Sequence, residues 1–273
     1  MSWKFHRVSL TTHSLEAAAR FFGDHVGFGA PRAVGDDTIA FGAGSRGLRI
    51  TKPGRSLQMA GGRVLAEAGA KHVAIEIADL ETVARNLDKA AIAYVEAAPG
   101  DFDIAALYTL DPACDVVAFC QGEARPVEGV QPWEAEWGWG IHHVNLQAAD
   151  VREAVAFYGE IAGLPERPWR APEARGSFSI DAGELAVVGI DDFNRGFHII
   201  RPDAGFAKRN DFAHNPSIGG HPAIHVGDVR AVKGRLEAAG IPVSDAGVYA
   251  MYGMHQIYVL EPTANMIEVN QFV

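Results

Sequence analysis

Three blocks of this sequence occur twice in the same order, and nothing else in it constrains the fold as strongly. His6-Arg7-Val8-Ser9-Leu10 aligns with His142-His143-Val144-Asn145-Leu146 at an offset of 136. The same offset pairs Phe21-Phe22-Gly23 with Phe157-Tyr158-Gly159, and Gly27-Phe28 with Gly163-Leu164. His72-Val73-Ala74-Ile75-Glu76-Ile77-Ala78-Asp79 aligns with His221-Pro222-Ala223-Ile224-His225-Val226-Gly227-Asp228 at an offset of 149. Asp111-Pro112-Ala113-Cys114-Asp115 matches Glu261-Pro262-Thr263-Ala264-Asn265 at an offset of 150. Ordered repetition of this kind marks a duplicated structural unit. The copies are drawn at 1–123 and 138–273, with 124–137 between them as a packed linker inside a stretch rich in proline and tryptophan. The offset grows by 13 between the first two blocks (149 − 136), so copy two holds extra residues between Leu164 and His221. They are expected chiefly in strand hairpins and in the loop Pro202 to Gly220.

Local patterning gives each copy strands and amphipathic helices. Gly140 to Gln147 reads as a strand with His143, Asn145 and Gln147 on one face and His142 on the other. From Asp150 the period changes to helical, with Val151, Ala154, Val155, Phe157, Tyr158 and Ile161 on one stripe and Gly163 as the stop. Helices are predicted again over 79–90 and 228–239, and the proline-containing blocks read as turns. A hairpin centred on residue 263 sets Tyr258 opposite Glu268 on the same face. Three residues before Tyr258 on the same strand, His255 is predicted by alternation to point to the other face unless a bulge intervenes.

A formal net charge of -10 argues against nucleic acid as a partner, since phosphate binding wants a basic face. No apolar run is long enough to span a bilayer and no signal-peptide core opens the chain, so a cytoplasmic protein with no membrane partner is expected. Cys114 and Cys120 make neither a disulfide framework nor a thiolate metal site, and read as buried free thiols.

The repeated blocks, over nearly the whole chain, resemble the vicinal oxygen chelate superfamily, which includes glyoxalases, bleomycin-resistance proteins and extradiol dioxygenases. The closest pattern is that of the two-domain extradiol ring-cleavage dioxygenases. The resemblance implies an α+β fold of tandem βαβββ modules, each curling its sheet around a cupped site. It places metal ligands at His143, His221 and Glu268 in copy two. The same positions in copy one hold Arg7, His72 and Ala118, a set that cannot bind a cation, so the N-terminal site is degenerate.

Two histidines and a carboxylate leave about half of a six-coordinate metal open, as in non-haem Fe(II) oxygenases. The resemblance therefore implies an Fe(II)-dependent extradiol-type dioxygenase acting on a catechol-like aromatic diol with O2, in a homo-oligomer. Mn2+, Ni2+ or Zn2+ would also suit the ligands. It makes Tyr258 the donor to the substrate hydroxyl, and His198 a proton shuttle, against the plainer reading of a histidine hydrogen-bonded at a strand edge. His255 is a further acid–base candidate in an altered position. Two alternatives stand beside this reading. One is a glyoxalase-like metal-dependent isomerase or lyase, and the other a non-catalytic protein that binds an aromatic ligand.

Overall fold

The computed structural model describes residues 3–52, 56–58, 64–66, 71–98, 100–122, 137–171, 181 and 183–273. Copy one runs β1 (Lys4–Thr11), α1 (Leu15–Arg20, continued as a π-helix over Phe21–Val26), β2 (Arg32–Ala33), β3 (Thr38–Phe41), β4 (Gly47–Thr51), β5 (Ser56–Gln58), β6 (Val64–Ala66), β7 (His72–Ile77), α2 (Leu80–Lys89), β8 (Tyr94–Glu96), β9 (Ala106–Leu110) and β10 (Val116–Gln121). Copy two runs β11 (Trp139–Gln147), α3 (Val151–Ala162), β12 (Glu166–Arg167), β13 (Leu185–Gly189), β14 (Gly196–Ile200), α4 (Phe206–Asn210), β15 (His221–Val226), α5 (Val229–Ala238), β16 (Ser244–Val248), β17 (Met254–Leu260) and β18 (Met266–Phe272).

Each copy forms one eight-stranded sheet with the same strand order, β2-β3-β4-β1-β7-β10-β9-β8 and β12-β13-β14-β11-β15-β18-β17-β16. Each sheet joins two βαβββ halves through an antiparallel seam, β1 with β7 and β11 with β15. The duplicated α+β architecture expected from the repeated blocks is thus present. The repeats extend to small devices. Asp79, Asp150 and Asp228 each cap the following helix by accepting backbone N–H groups, and Gly163 closes α3 at a φ of 65°. In the matched turns, Asp111 accepts from the N–H groups of Ala113 and Asp115, as Glu261 does from Thr263 and Asn265.

The copies share one core. Trp3 at the start of copy one packs against Phe197 of copy two and donates its Nε1–H to the Gly189 carbonyl at 3.2 Å. Tyr158 donates to Asp111 at 3.0 Å, and burial pushes that carboxyl up to about 7. The last carbonyls of α3 accept from Asn86 of α2, at 2.9 Å for Ile161. Arg235 of α5 serves the corresponding carbonyls of copy one, at 2.8 Å for His25 and 3.0 Å for Val26. Each copy therefore closes a helix end of the other, satisfying groups that a helix C-terminus leaves open.

Three expectations need correction. The growth of 13 residues lies in the β12–β13 hairpin, 17 residues (168–184) against 4 (34–37) between β2 and β3, so the hairpin part of that expectation holds and the loop part does not. The loop Pro202 to Gly220 matches 53–71 in length, because the register that pairs Arg7 with Gly47 and His143 with Gly196 already sets the offset at 149. Cys114 is exposed rather than buried, since it sits in the turn at a φ of 67°, whereas Cys120 is buried and its thiol is pushed up to about 12 by desolvation. His142 does not simply point away from His143, because a β-bulge in β11 between Ile141 and His143 breaks the strict alternation. Most of the linker, 123–136, lies outside the described residues, and β11 begins at Trp139.

Candidate metal centre

The seam strand β11 carries His143, β15 carries His221, and β18 carries Glu268. Ala223 of β15 is in register with both His143 and Glu268, so the three side chains meet at the floor of the copy-two cup. One ligand-capable atom from each lies within 4.8 Å of the others. His143 Nε2 is 3.3 Å and His221 Nε2 is 4.0 Å from Glu268 Oε2. All three residues are at most 2% exposed. Burial alone would raise the Glu268 carboxyl, but His143 and His221 beside it outweigh that and hold it at about 2. Burial holds His221 down at about 4, so near neutral pH it offers a bare nitrogen. A carboxylate and imidazole lone pairs converging in a buried cup form a donor set that fits a divalent cation.

The layer around the triad is amide-rich. Glu268 Oε1 accepts from Asn270 Nδ2 at 2.8 Å and from Gln256 Nε2 at 3.2 Å, leaving Oε2 to face the histidines. Gln256 Nε2 also donates to the Tyr258 hydroxyl at 3.2 Å. Tyr258 stands directly opposite Glu268, as the hairpin arithmetic requires. Burial, then the Glu268 charge, pushes its phenol well above the ordinary value, so it remains a proton donor.

His198 is in register with Asn145 and stacks on His143, with ring centroids 3.8 Å apart and planes 17° from parallel. Its Nε2 is 2.7 Å from the Asn194 carbonyl. A carbonyl can only accept, so Nε2 carries the proton and Nδ1 keeps its lone pair. Burial, reinforced by His143, holds the ring well below the ordinary histidine value and hence neutral. The structure does not bring His255 to this group. Strand alternation takes it to another face, where its Nε2 lies 2.8 Å from Asp245 Oδ1.

A cavity of about 320 Å³ opens over His143 and Glu268 of the triad, with His198, Tyr258, Asn145 and Gln256 also at its floor, while His221 does not line it. Trp169, Leu185, Ile200, Phe206, Tyr249 and Met251 form the walls, and Asp181, Glu184, Arg201 and Asp203 the rim. The loop Pro202 to Gly220 contributes Asp203, Phe206, Pro216 and Ser217 to its lining. Sequence reasoning missed Trp169 and Gln256 as wall and floor residues. Trp169 belongs to the inserted connection, which has no counterpart in copy one to flag it. Gln256 was legible in principle, standing two residues before Tyr258 on the same strand face.

No protein-family model matches the chain, and no curated protein matches it in sequence. Solved structures do. A catechol 2,3-dioxygenase is 15% identical and superposes with a TM-score of 0.63, over 98% of this chain and 88% of that one. The 2,2',3-trihydroxybiphenyl 1,2-dioxygenase of Sphingomonas wittichii strain RW1 gives 12% and 0.64, over 99% and 90%. The Mn(II)-bound glyoxalase of Novosphingobium aromaticivorans gives 13% and 0.63, over 98% and 81%. At such identities the likeness is one of fold: the chain has the duplicated vicinal oxygen chelate fold.

Proposed function

We propose that on this fold the chain is a non-haem Fe(II) extradiol-type dioxygenase that opens the ring of a catechol-like diol and incorporates both atoms of O2. The observation that carries this reading is the buried His143–His221–Glu268 cluster, open on one side to an aromatic-walled cavity that also holds His198 and Tyr258. Three protein donors would hold the metal and leave positions for a diol and O2. When bound, the ion would supply Lewis acidity and a template for both reactants.

The chain's own groups would do the rest. Tyr258, kept protonated, donates a hydrogen bond to a substrate oxygen. His198, neutral with its lone pair on Nδ1, takes a proton from a substrate hydroxyl and returns it later. Trp169, Phe206, Tyr249 and Met251 give a flat apolar ring its contact surface and exclude water. Among the described residues Arg201 is the one cation lining the cavity, and it is engaged with Glu184 Oε1 at 2.8 Å. Together with Asp181 and Asp203 at the rim, this favours an uncharged catechol over one bearing a carboxylate.

The test is anaerobic reconstitution with Fe(II), then oxygen-electrode traces on catechol, alkyl- and aryl-catechols and 3,4-dihydroxyphenylacetate, with Glu268→Ala alongside. Oxygen uptake with a yellow ring-fission product, absent in the variant, is the expected result. A fully loaded centre that consumes no oxygen would overturn it in favour of a metal-dependent isomerase or lyase using Mn2+, Ni2+ or Zn2+. The fold shared with a Mn(II)-bound glyoxalase supports that second reading. A chain that binds aromatic compounds but no metal would be the binding protein.

A further inference from the structure

The bulge that brings His142 beside His143 occurs at the same place in both copies, between Ile141 and His143 and between Phe5 and Arg7. In copy two, His142 is completely buried and its Nδ1 lies 2.9 Å from His143 Nδ1. One of these two nitrogens must donate and the other accept. The nitrogen of His143 that faces Glu268 is Nε2. If that atom is offered to a cation, the His143 proton sits on Nδ1 and points at His142. The His142 Nδ1 is then bare, and its own proton is on Nε2. That Nε2 is buried and has no hydrogen-bond partner among the described residues.

We infer that His142 is a positioning residue of the metal centre, accepting the Nδ1–H of His143 and thereby fixing which ring nitrogen that ligand presents. This rests on reading the triad as a metal site. A buried N–H without a partner is destabilising, and an apolar side chain would fill the place between the His225 and Phe272 rings without that penalty. The arrangement makes sense where the other ring nitrogen has a task. Copy one supplies the control. His6 occupies the matching bulge beside Arg7, where no ligand needs orienting, and there the histidine pairs with Glu76 Oε1 at 2.9 Å and Ser45 Oγ at 2.8 Å. Glu268 is held by the same logic in copy two. Asn270 Oδ1 lies 2.9 Å from His225 Nδ1, which turns its Nδ2 onto Glu268 Oε1. Ligating histidines commonly carry such an outer partner, and its loss typically costs about 10–100-fold in metal affinity.

Mn2+ titration of the full chain, followed by EPR of the free ion, tests this with wild type, His142→Leu and His142→Asn. Asparagine can place an acceptor oxygen where Nδ1 stood. The expected result is Mn2+ binding weakened about 10–100-fold in His142→Leu, with a metal-free melting temperature unchanged or raised, and within about threefold of wild type in His142→Asn. Co(II)-loaded His142→Leu is expected to show a shifted visible spectrum. Wild-type affinity in His142→Leu overturns the inference and leaves the metal centre intact. Equal weakening in both variants also overturns it, since packing would then be the cause. A wild-type chain that binds no Mn2+ overturns the metal centre itself, and this inference with it.

Discussion

The two cups are built on the same registers and hold different chemistry. Ala74 pairs with Arg7 and Ala118 as Ala223 pairs with His143 and Glu268. By the same registers, His72 corresponds to His221, Tyr108 to Tyr258 and Arg49 to His198. In copy one the Arg7 guanidinium fills the floor: Nη2 is 3.0 Å from His72 Nε2, Nη1 donates to the Asp101 carbonyl at 2.7 Å, and the group lies 3.9 Å over the Phe102 ring. Burial brings this arginine down to about 10. Copy one thus carries a covalently attached cation where copy two gathers donors for a free one. The difference teaches that the backbone cup is indifferent to its contents. Three side chains decide whether it is a packed core or a binding site.

Several experiments would break or sharpen that comparison. Largest, Glu268→Ala or His143→Ala should reduce oxygen uptake to background and metal content from one per chain to none by elemental analysis. Residual stoichiometric metal would place the ion elsewhere. Next, grafting Arg7→His with Ala118→Glu completes a triad around His72, and two metal equivalents per chain are expected; a single equivalent would show that three positions are not enough. Arg7→Ala should leave metal content unchanged and cost about 3 kcal/mol in urea unfolding, because it strips a buried charge from its partners.

Acid should weaken the metal-free protein by a comparable or smaller amount. His221 and His225 are both held near 4 by burial, against an ordinary 6.5. The native state stays neutral while the unfolded chain takes up protons, so this stability is fully present above about pH 6.5 and is lost as pH falls toward 4. Each histidine contributes at most about 3 kcal/mol in all, of which about 1.3 kcal/mol is lost between pH 7.5 and 5.5, read from urea unfolding at those two pH values. Smallest, His255→Ala should change kcat/KM less than about twofold, because that ring is committed to Asp245.

Much of this was legible in the residues. The repeats gave the duplicated fold, the strand period aimed His143 inward, and hairpin arithmetic set Tyr258 against Glu268. What escaped detection has physical causes. A β-bulge leaves no mark in a hydrophobic pattern, so the contact between His142 and His143 could not be counted out from alternation. The inserted connection 168–184 matches nothing in copy one, so its contribution of Trp169 to the cavity wall needed the folded chain. The N-terminal ligand positions were seen to be degenerate, but the aromatic and carbonyl cradle that makes Arg7 acceptable there comes from Asp101 and Phe102, distant in sequence.

The reciprocal helix-end contacts, Asn86 onto Ile161 and Arg235 onto His25 and Val26, bear on how the molecule comes apart. Each half carries a fastening that works only when the other half is folded, and Trp3 is driven into its neighbour's interior as well. A single melting transition is therefore expected by calorimetry, and two resolved transitions would show that the halves come apart independently. The half with no metal triad is thus more than a remnant: its Trp3 and Asn86 complete groups in the other half, so substitutions there are expected to be felt in both.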